Sequence, residues 1–372
     1  MLFKGTWARS ASKLKEAIEG VGGSLNGFTA DEATCYMVTV PSEHAGLGLD
    51  ILTDMVLNPR FDDNDIAKEK FVISEEIKMY KDQPADHVME LLNGIMWPGN
   101  SMGRPLTGTI STVQSLRKNK LISFKEDNYH PANIAVIAAG KVDPNVIIDK
   151  VSGSFKERRR KKPSFTTPAM GQKDPRTKFS GDDTNQTHLA MGFPANSGSI
   201  RERFATKLMS VILGGNMSSR LFDELREKHG LCYDIASSYK RHRDVGEFVV
   251  HAGVDNRKVM RSVMAIIDEL RKIRDVGVTP DELLRAKEFA KGQLLLALEN
   301  TSARMVWFGD CLMIDGMIRD RDDILKEVDN VTVGDIKSAC KNIFKPSLIN
   351  LAMVGRVDAK NKSKIKKELG KL

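Results

Sequence analysis

The sequence predicts an α+β protein built from two homologous half-domains. Each is expected to be a mixed or antiparallel sheet with helices packed on it, and the first half to lack its N-terminal strand and helix. Three observations predict this: the length, an internal repeat, and the interspersion of helical and strand-like patterns. At 372 residues the chain exceeds one ordinary core, and a prior of roughly 150 residues per domain gives two.

The repeat is the most informative of the three. Tyr129-His-Pro-Ala-Asn-Ile-Ala-Val-Ile-Ala-Ala-Gly-Lys-Val-Asp143 matches Phe344-Lys-Pro-Ser-Leu-Ile-Asn-Leu-Ala-Met-Val-Gly-Arg-Val-Asp358 at a constant spacing of 215 residues. Each copy is aromatic-x-Pro, an apolar run, then Gly-basic-Val-Asp. The apolar run reads as a buried strand and Gly140 or Gly355 as its exit turn.

A second match lies upstream. Leu49 to Leu57 has helical periodicity, Asn58-Pro59-Arg60 is a turn, and the acidic run Asp62 to Asp65 caps a helix through about Met79. In the other half, Val259 to Ile273 is amphipathic and Val276-Gly277-Val278 is the turn. Thr279-Pro280-Asp281-Glu282 starts a helix through about Leu298. Strand candidates are Ala33 to Val40, Leu189 to Phe193, Tyr233 to Tyr239 and Gly246 to Val254. Helices and strands alternate, so each half is expected to pack helices on a sheet. The expected boundaries are an N-terminal domain at 1–155, a Pro/Lys-rich linker at 156–183 and a C-terminal domain at 184–372. The second half has a strand (about Gln186 to Phe193) and a helix (about Ile200 to Leu213) before Gly214-Gly215-Asn216. The matching stretch of the first half is Met1 to Gly5. A strand and helix of perhaps ~35 to 50 residues therefore lack a counterpart, which leaves a sheet edge or face uncovered.

Composition narrows the function classes. With 41% hydrophobic and 28% charged residues the chain is globular, and no run reaches the ~18 apolar residues that cross a membrane. Met1 to Thr6 has no signal-peptide layout. Cys35, Cys232, Cys311 and Cys340 are far apart with no C-x-x-C pair, which suits a reducing, cytoplasmic setting. Part of the net charge of +8 sits in Lys156 to Lys162 and in the tail Lys360 to Lys371. No aromatic or Gly-rich RNA-binding signature lies nearby, so both runs read as a solvated linker and tail, and neither nucleic acid nor membrane is expected as a partner.

Several residues could carry chemistry. Glu69 and Glu76 are about 700° apart at ~100° per residue and so share one helix face. Two readings are open: a metal ligand with a supporting carboxylate, or a solvated acidic face. Aligning Asp65 with Glu282 puts Ala286 opposite Glu69 and Gln293 opposite Glu76, so the helix does not need the acids. The seven histidines form no H-E-x-x-H or H-x-x-E-H pair, and His130 reads as structural. No G-x-S-x-G elbow, P-loop or dinucleotide fingerprint occurs. Ser218 to Tyr233 reads as a helix stopped at Gly230 and then a strand. Arg226 and Tyr233 flank that stop. They could grip a peptide carbonyl or its oxyanion, or be a helix-end Arg and a half-buried strand Tyr.

These residues resemble the pitrilysin/insulinase metallopeptidase family, in its bacterial and mitochondrial processing-protease branch, over nearly the whole chain. Met1-Leu-Phe-Lys-Gly-Thr6 resembles the segment directly after the family's inverted zinc motif, H-x-x-E-H. Gly22 to Thr29 resembles its substrate-binding edge strand, and Glu69 to Glu76 the downstream helix with the third zinc ligand. Gly103 to Thr109 and Leu213 to Tyr233 also match. The resemblance implies a zinc-dependent endopeptidase in which Glu76 is a zinc ligand and Glu69 its supporting carboxylate. It also implies that Arg226 and Tyr233 hold the substrate carbonyl, and that Asn26, Gly27, Phe28 and Thr29 pair with the substrate as an added strand. Gly27 departs from the family's usual Ala. Both zinc histidines and the base Glu are expected immediately before Met1, so the chain as given is expected to bind no catalytic zinc and to be inactive. The alternative is a non-catalytic scaffold or partner subunit of a processing-protease-like complex. The resemblance implies a peptide or protein substrate and a like subunit. Because the chain carries both the ligand helix and the Arg/Tyr grip, a homo-oligomer is expected over an obligate mixed pair.

Overall fold

Local signals place the elements. A computed structural model describes residues 1–155 and 165–372. Helix α1 (Ala11–Glu19) starts where Ser10 accepts from the Lys13 N–H and buries Leu14 and Ile18, four apart on one face. Strands β1 (Ser24–Thr29) and β2 (Thr34–Thr39) form an antiparallel hairpin. Helices α2 (Ala45–Leu57) and α3 (Asp63–Asp82) flank the expected Asn-Pro-Arg turn. Helix α4 (Pro84–Met96) has Pro in its first turn and buries Val88, Leu92 and Met96. Helices α5 (Ile110–Ser115), α6 (Lys118–Asn128) and α7 (Pro144–Ser154) complete the first half.

The second half runs β3 (Arg176–Ser180), β4 (Gln186–Asn196), α8 (Ile200–Gly214), β5 (Cys232–Arg241) and β6 (Val245–Asp255). It continues with α9 (Val259–Asp275), α10 (Pro280–Leu298), α11 (Thr301–Asp310), α12 (Arg321–Asn330), α13 (Val333–Ile343), β7 (Asn350–Val354) and α14 (Ala359–Leu369). Reciprocal capping between Ser199 and Glu202 starts α8, and between Thr332 and Asp335 starts α13.

The chain divides into two compact units, and they are not its two continuous halves. Unit 1 comprises 1–78, 106–165 and 297–318; unit 2 comprises 79–105, 166–296 and 319–372. The segments that change sides, 79–105 and 297–318, are equivalents in the internal repeat.

Unit 2 holds a five-stranded mixed sheet in the order β3-β7-β4-β6-β5, parallel between β3 and β7 and antiparallel elsewhere. Its two faces follow the period of two. Leu189, Met191 and Phe193 of β4 point into the large core shared with α8, α9, α13 and α14. Ala190 of β4, Val249, Ala352 and Val354 point the other way, onto Val88 and Leu92 of α4. That packing is why α4, from the first half of the sequence, belongs to this unit. Phe344 stands edge-on to Phe193 and Phe248, each 5.2 Å away.

Unit 1 has a smaller core of Leu2, Leu14, Ile18, Ile51, Met55, Phe61 and Ile66. A buried polar knot ties the N-terminal segment to α2. Thr6 Oγ1 donates to Asp54 Oδ2 (2.7 Å), Arg9 Nη1 to the same oxygen (2.8 Å), and Asn58 Nδ2 to Asp54 Oδ1 (3.0 Å). Burial alone would raise the Asp54 pKa, but these donors hold its carboxyl below the usual range.

Three expectations need correction. The run Ile134 to Ala139 is not a strand. Its repeat partner β7 lies between β3 and β4, whereas no described strand pairs with 134–139. The expected linker 156–183 contains β3, an edge strand completing the unit 2 sheet; residues 156–164, including the run Lys156 to Lys162, lie outside the described residues. The basic tail is not a free solvated segment, because Ile365, Leu369 and Leu372 insert into the core while the lysines of α14 occupy its outer face.

Candidate active site

Helix α3 presents the acidic candidates. Asp62 Oδ1 accepts from the Asn64 N–H, Asp63 and Asp65 complement the first turn, and Ile66, Ser74 and Ile77 bury one stripe. Glu69 and Glu76 lie beside that stripe, both half-buried. Glu75 faces solvent and pairs with Lys78 (2.7 Å). Glu69 Oε1 is held by Lys4 Nζ at 2.7 Å. The Met1 amino group is close enough that Glu69 favours its charge, although burial lowers its pKa overall. Lys4 thus ties the first turn of the chain to the Glu69 carboxylate. Glu76 has neither hydrogen bond nor ion pair among the described residues, which leaves both oxygens free to accept.

The donor set does not fit a catalytic zinc. Such a site takes three protein ligands, and no group of three or more His, Cys, Asp or Glu among the described residues could hold a metal. Glu76 is one available carboxylate, and Glu69 is occupied by Lys4.

In unit 2 the Arg226–Tyr233 segment has the helix–stop–strand form that the sequence indicates, with two irregularities it did not. Residues Phe222–Lys228 form a π-helical stretch, a form that often marks functional sites. Gly230 then takes φ +53°, the left-handed conformation that favours glycine, and the Leu231 N–H returns to Leu225 O (2.7 Å). Strand β5 pairs Cys232 with Val254 and then Asp234 with Gly253, so Tyr233 is the extra residue of a bulge. A bulge re-aims a side chain. Cys232 is buried, whereas Tyr233 is 74% exposed, so it is not the half-buried strand residue of the alternative reading.

Arg226 meets Tyr233 there. Its guanidinium carbon lies 5.0 Å from the Tyr233 ring and 4.7 Å from the Phe222 ring, and its Nε is 4.0 Å from Glu227. Two cation–π contacts fix the plane, and the remaining N–H groups stay available. The Tyr233 hydroxyl has no partner among the described residues. The pair thus presents a planar fork and a phenol, suited to a carbonyl oxygen or oxyanion.

The Asn26 to Thr29 stretch lies on β1, which pairs with β2 alone: Asn26 with Met37, Gly27 with Tyr36, Phe28 with Cys35 and Thr29 with Thr34. The other edge of β1 has no strand among the described residues. The Gly27 N–H donates to Asn26 Oδ1 (2.8 Å). A Cβ at Gly27 would come within 2.9 Å of Cys35 O and 3.0 Å of Phe3 Cζ. The Cys35 carbonyl and the Phe3 ring leave little room for a side chain at this point. Sequence reasoning missed the Lys4–Glu69 pair and the bulge at Tyr233; neither leaves a local signal, since both depend on which residues the fold brings opposite.

Comparison with known proteins bears on the family and the fold. The family model described as insulinase (peptidase family M16) matches residues 1–110, and that of the peptidase M16 inactive domain matches 115–289. An uncharacterized zinc protease of Bacillus subtilis is 33% identical over 350 residues, covering 92% of this chain and 84% of the relative. Another, of Streptomyces coelicolor, is 34% identical over 374 residues, covering 98% and 81%. Among solved structures, a protease from Helicobacter pylori has the same fold, with TM-score 0.87 at 20% identity over 95% of this chain and 87% of that one. A chain of complex III2 from Candida albicans also shares it, with TM-score 0.81 at 16% identity over 96% and 89%. On its two successive domains and on these relatives, the chain belongs to the insulinase family of peptidases, family M16.

Proposed function

We propose that this chain carries the substrate-holding apparatus and one metal-ligating carboxylate of a zinc endopeptidase, and that on its own it cleaves no peptide bond by that route. The observation that carries the reading is the Arg226–Tyr233 pair, a fork on a π-helical stretch and a phenol on a bulge, with neither side chain hydrogen-bonded among the described residues. Tyr233 and Arg226 take the carbonyl oxygen of a bound peptide. Asn26 to Thr29 add the peptide to the free edge of β1, with its carbonyl replacing Asn26 Oδ1 on the Gly27 N–H. Glu76 is the ligand this chain offers to a metal, and Glu69, through Lys4, fixes the N-terminal segment beside it. Residues joined ahead of Met1 would arrive next to Glu69, which is where an H-x-x-E-H motif is needed. The four free cysteines suit a reducing, cytoplasmic setting.

A second reading has its own support: the donor set does not fit zinc, and the fold also occurs in a multi-subunit complex III2. On that reading the chain is a non-catalytic subunit that holds peptide for a like partner. The coding sequence ahead of Met1 separates the two, since an in-frame H-x-x-E-H supports the enzyme and a stop codon the partner. For the purified chain we expect no stoichiometric zinc by elemental analysis and no chelator-sensitive cleavage of quenched peptides. Fluorescence anisotropy with an unstructured peptide should register binding, weakened about fivefold in Arg226→Ala or Tyr233→Phe, the equivalent of one hydrogen bond of ~1 kcal/mol. Stoichiometric zinc with cleavage would overturn the claim of inactivity, and unchanged affinity in both variants the claim of a grip.

A further inference from the structure

Arg226 stands on the π-helical stretch Phe222–Lys228, whose wide turns carry its guanidinium to the rings of Phe222 and Tyr233. The π-helix is rare and occurs mostly as one turn within an α-helix, so a stretch of seven residues needs something to keep it wide. Side chains five apart supply it. Lys228 Nζ lies 2.7 Å from Asp223 Oδ2, and His229 Nε2 lies 3.1 Å from Glu224 Oε1. In an α-helix such residues are ~500° apart, about 140° round the axis, and face different ways. In a π-turn, whose hydrogen bond itself spans five residues, they stack on one side. Both links therefore favour the wide register.

The second link continues out of the stretch. Arg261 Nη2, in the first turn of α9, lies 3.2 Å from His229 Nδ1. A guanidinium only donates, so Nδ1 accepts, and the proton of the neutral ring sits on Nε2, where it donates to Glu224. His229 thus bridges Glu224 and Arg261. One residue on, Lys258 Nζ donates to Gly230 O at 2.9 Å. The left-handed turn between Arg226 and Tyr233 is therefore tied at both His229 and Gly230 to the start of α9. Packing does not span the same gap. An open cavity of about 480 Å³ lies between the stretch and α9, lined by Leu231, Met264 and Ala265 together with Glu224, His229 and Arg261. Leu225 anchors the stretch into the core, and across the cavity the side-chain links do the holding.

We propose that His229 is a positioning residue: through Glu224 and Arg261 it holds the π register that sets Arg226 against Tyr233. It acts through Arg226 and not on the peptide itself. This rests on the reading of the Arg226–Tyr233 pair as a carbonyl grip, and it adds a requirement that the pair alone does not make. Guanidinium and phenol must be held in one arrangement before the peptide arrives, and the Glu224–His229–Arg261 chain is what holds them.

The test uses the full chain, with hydrogen exchange read by mass spectrometry and binding of an unstructured peptide read by fluorescence anisotropy. His229→Ala should speed exchange of the Phe222–Lys228 amides by at least ~10-fold, the mark of local opening, with the thermal midpoint unchanged. It should weaken peptide binding about fivefold, as Arg226→Ala does, and the double variant should bind no more weakly than Arg226→Ala alone, whereas independent effects would multiply to about 25-fold. His229→Gln, which keeps a donor and an acceptor, should restore both protection and affinity. Arg261→Leu removes the outer link from α9 and should reproduce both losses, so the question is decided even if His229→Ala does not fold. Unchanged exchange in His229→Ala and Arg261→Leu, full affinity in both while Arg226→Ala binds weakly, or a multiplied loss in the double variant would overturn the proposal. If Arg226→Ala itself binds as tightly as the parent chain, the grip reading falls and this proposal with it.

Discussion

Cutting Leu92 back to alanine is expected to cost unit 2 about 3 kcal/mol, the middle of the range for a buried Leu→Ala. The side chain is fully buried among Val88, Ala190, Val249, Ala352 and Val354, so the three carbons removed leave a cavity walled largely by strands that cannot collapse. Gly192 makes the test sharper. A Cβ built there lies 2.9 Å from Leu92 Cδ2 and 3.0 Å from Cδ1, so Gly192→Ala alone overpacks the site and should cost about 1 kcal/mol. With Leu92 shortened the clash is gone and the new methyl occupies part of the cavity. The double variant should therefore be more stable than the sum of the single effects by about 1–2 kcal/mol. Urea unfolding reads this cleanly with Trp7 and Trp307 changed to Phe, so that Trp97, 2% exposed and hydrogen-bonded to Glu247 (3.3 Å), is the only reporter. Additivity within about 0.5 kcal/mol, or a cost for Leu92→Ala below about 1 kcal/mol, would refute the seating of α4 on this sheet.

Other outcomes follow from the same geometry. Gly27→Ala should destabilise unit 1 by about 1 kcal/mol through the contacts with Cys35 O and Phe3, and Phe3→Leu should relieve only the part due to the ring, as read by thermal unfolding. Thr6→Val should cost about 1–2 kcal/mol, since it leaves the buried Asp54 carboxylate without its 2.7 Å donor; denaturant midpoints measure it. The forked pair Arg220–Glu282 (2.7 and 2.8 Å) and the Thr279 N–H pull the Glu282 pKa down to about 2. The unfolded chain then binds the proton more readily, so stability is fully present above the ordinary carboxylate pKa and is lost as pH falls from about 5 toward 2, by about 1–2 kcal/mol after solvent screening. Glu282→Gln should flatten that part of the pH–stability curve and lower its neutral plateau; an unchanged acid limb would count against the pair.

Much of the fold was legible because its signals are local. The Asn-Pro-Arg turn and the capping acids set α3, Thr279-Pro280 set α10, and alternating apolar residues set β4 and β6. The domain boundaries were less legible, because what decides the side of α4 is not its own pattern but the apolar face of a sheet formed by residues about 100 to 260 positions later. The tail misled for a related reason. Its lysine content reads as solvated, yet only Ile365, Leu369 and Leu372 are needed to dock it. At the site, the sequence supplied Arg226 and Tyr233 as residue types and Gly230 as the stop. It did not supply the bulge that turns Tyr233 outward, because a bulge is a property of two strands in register.

The two copies of the aromatic-x-Pro motif sharpen this point. Pro131 and Pro346 both open a short 3₁₀ turn, and Gly140 and Gly355 both leave with positive φ (117° and 140°). The local signals thus produce the same turn and the same exit, and still only one copy becomes a strand. Extended chain is specified locally, whereas a strand is specified by a neighbour, since its hydrogen bonds are made to another segment. The same distinction governs the acids. Ala286, opposite Glu69, is 3% exposed in the unit 2 core, where a carboxylate would be costly without a partner. Glu69 has such a partner in Lys4, two residues before Thr6, whose bond to Asp54 fixes the segment's path. An acid is tolerated in one copy and excluded from the other by what lies opposite the helix. Glu69 therefore reports on the segment around Lys4, whereas Gln293, opposite Glu76, is exposed and its site would admit an acid.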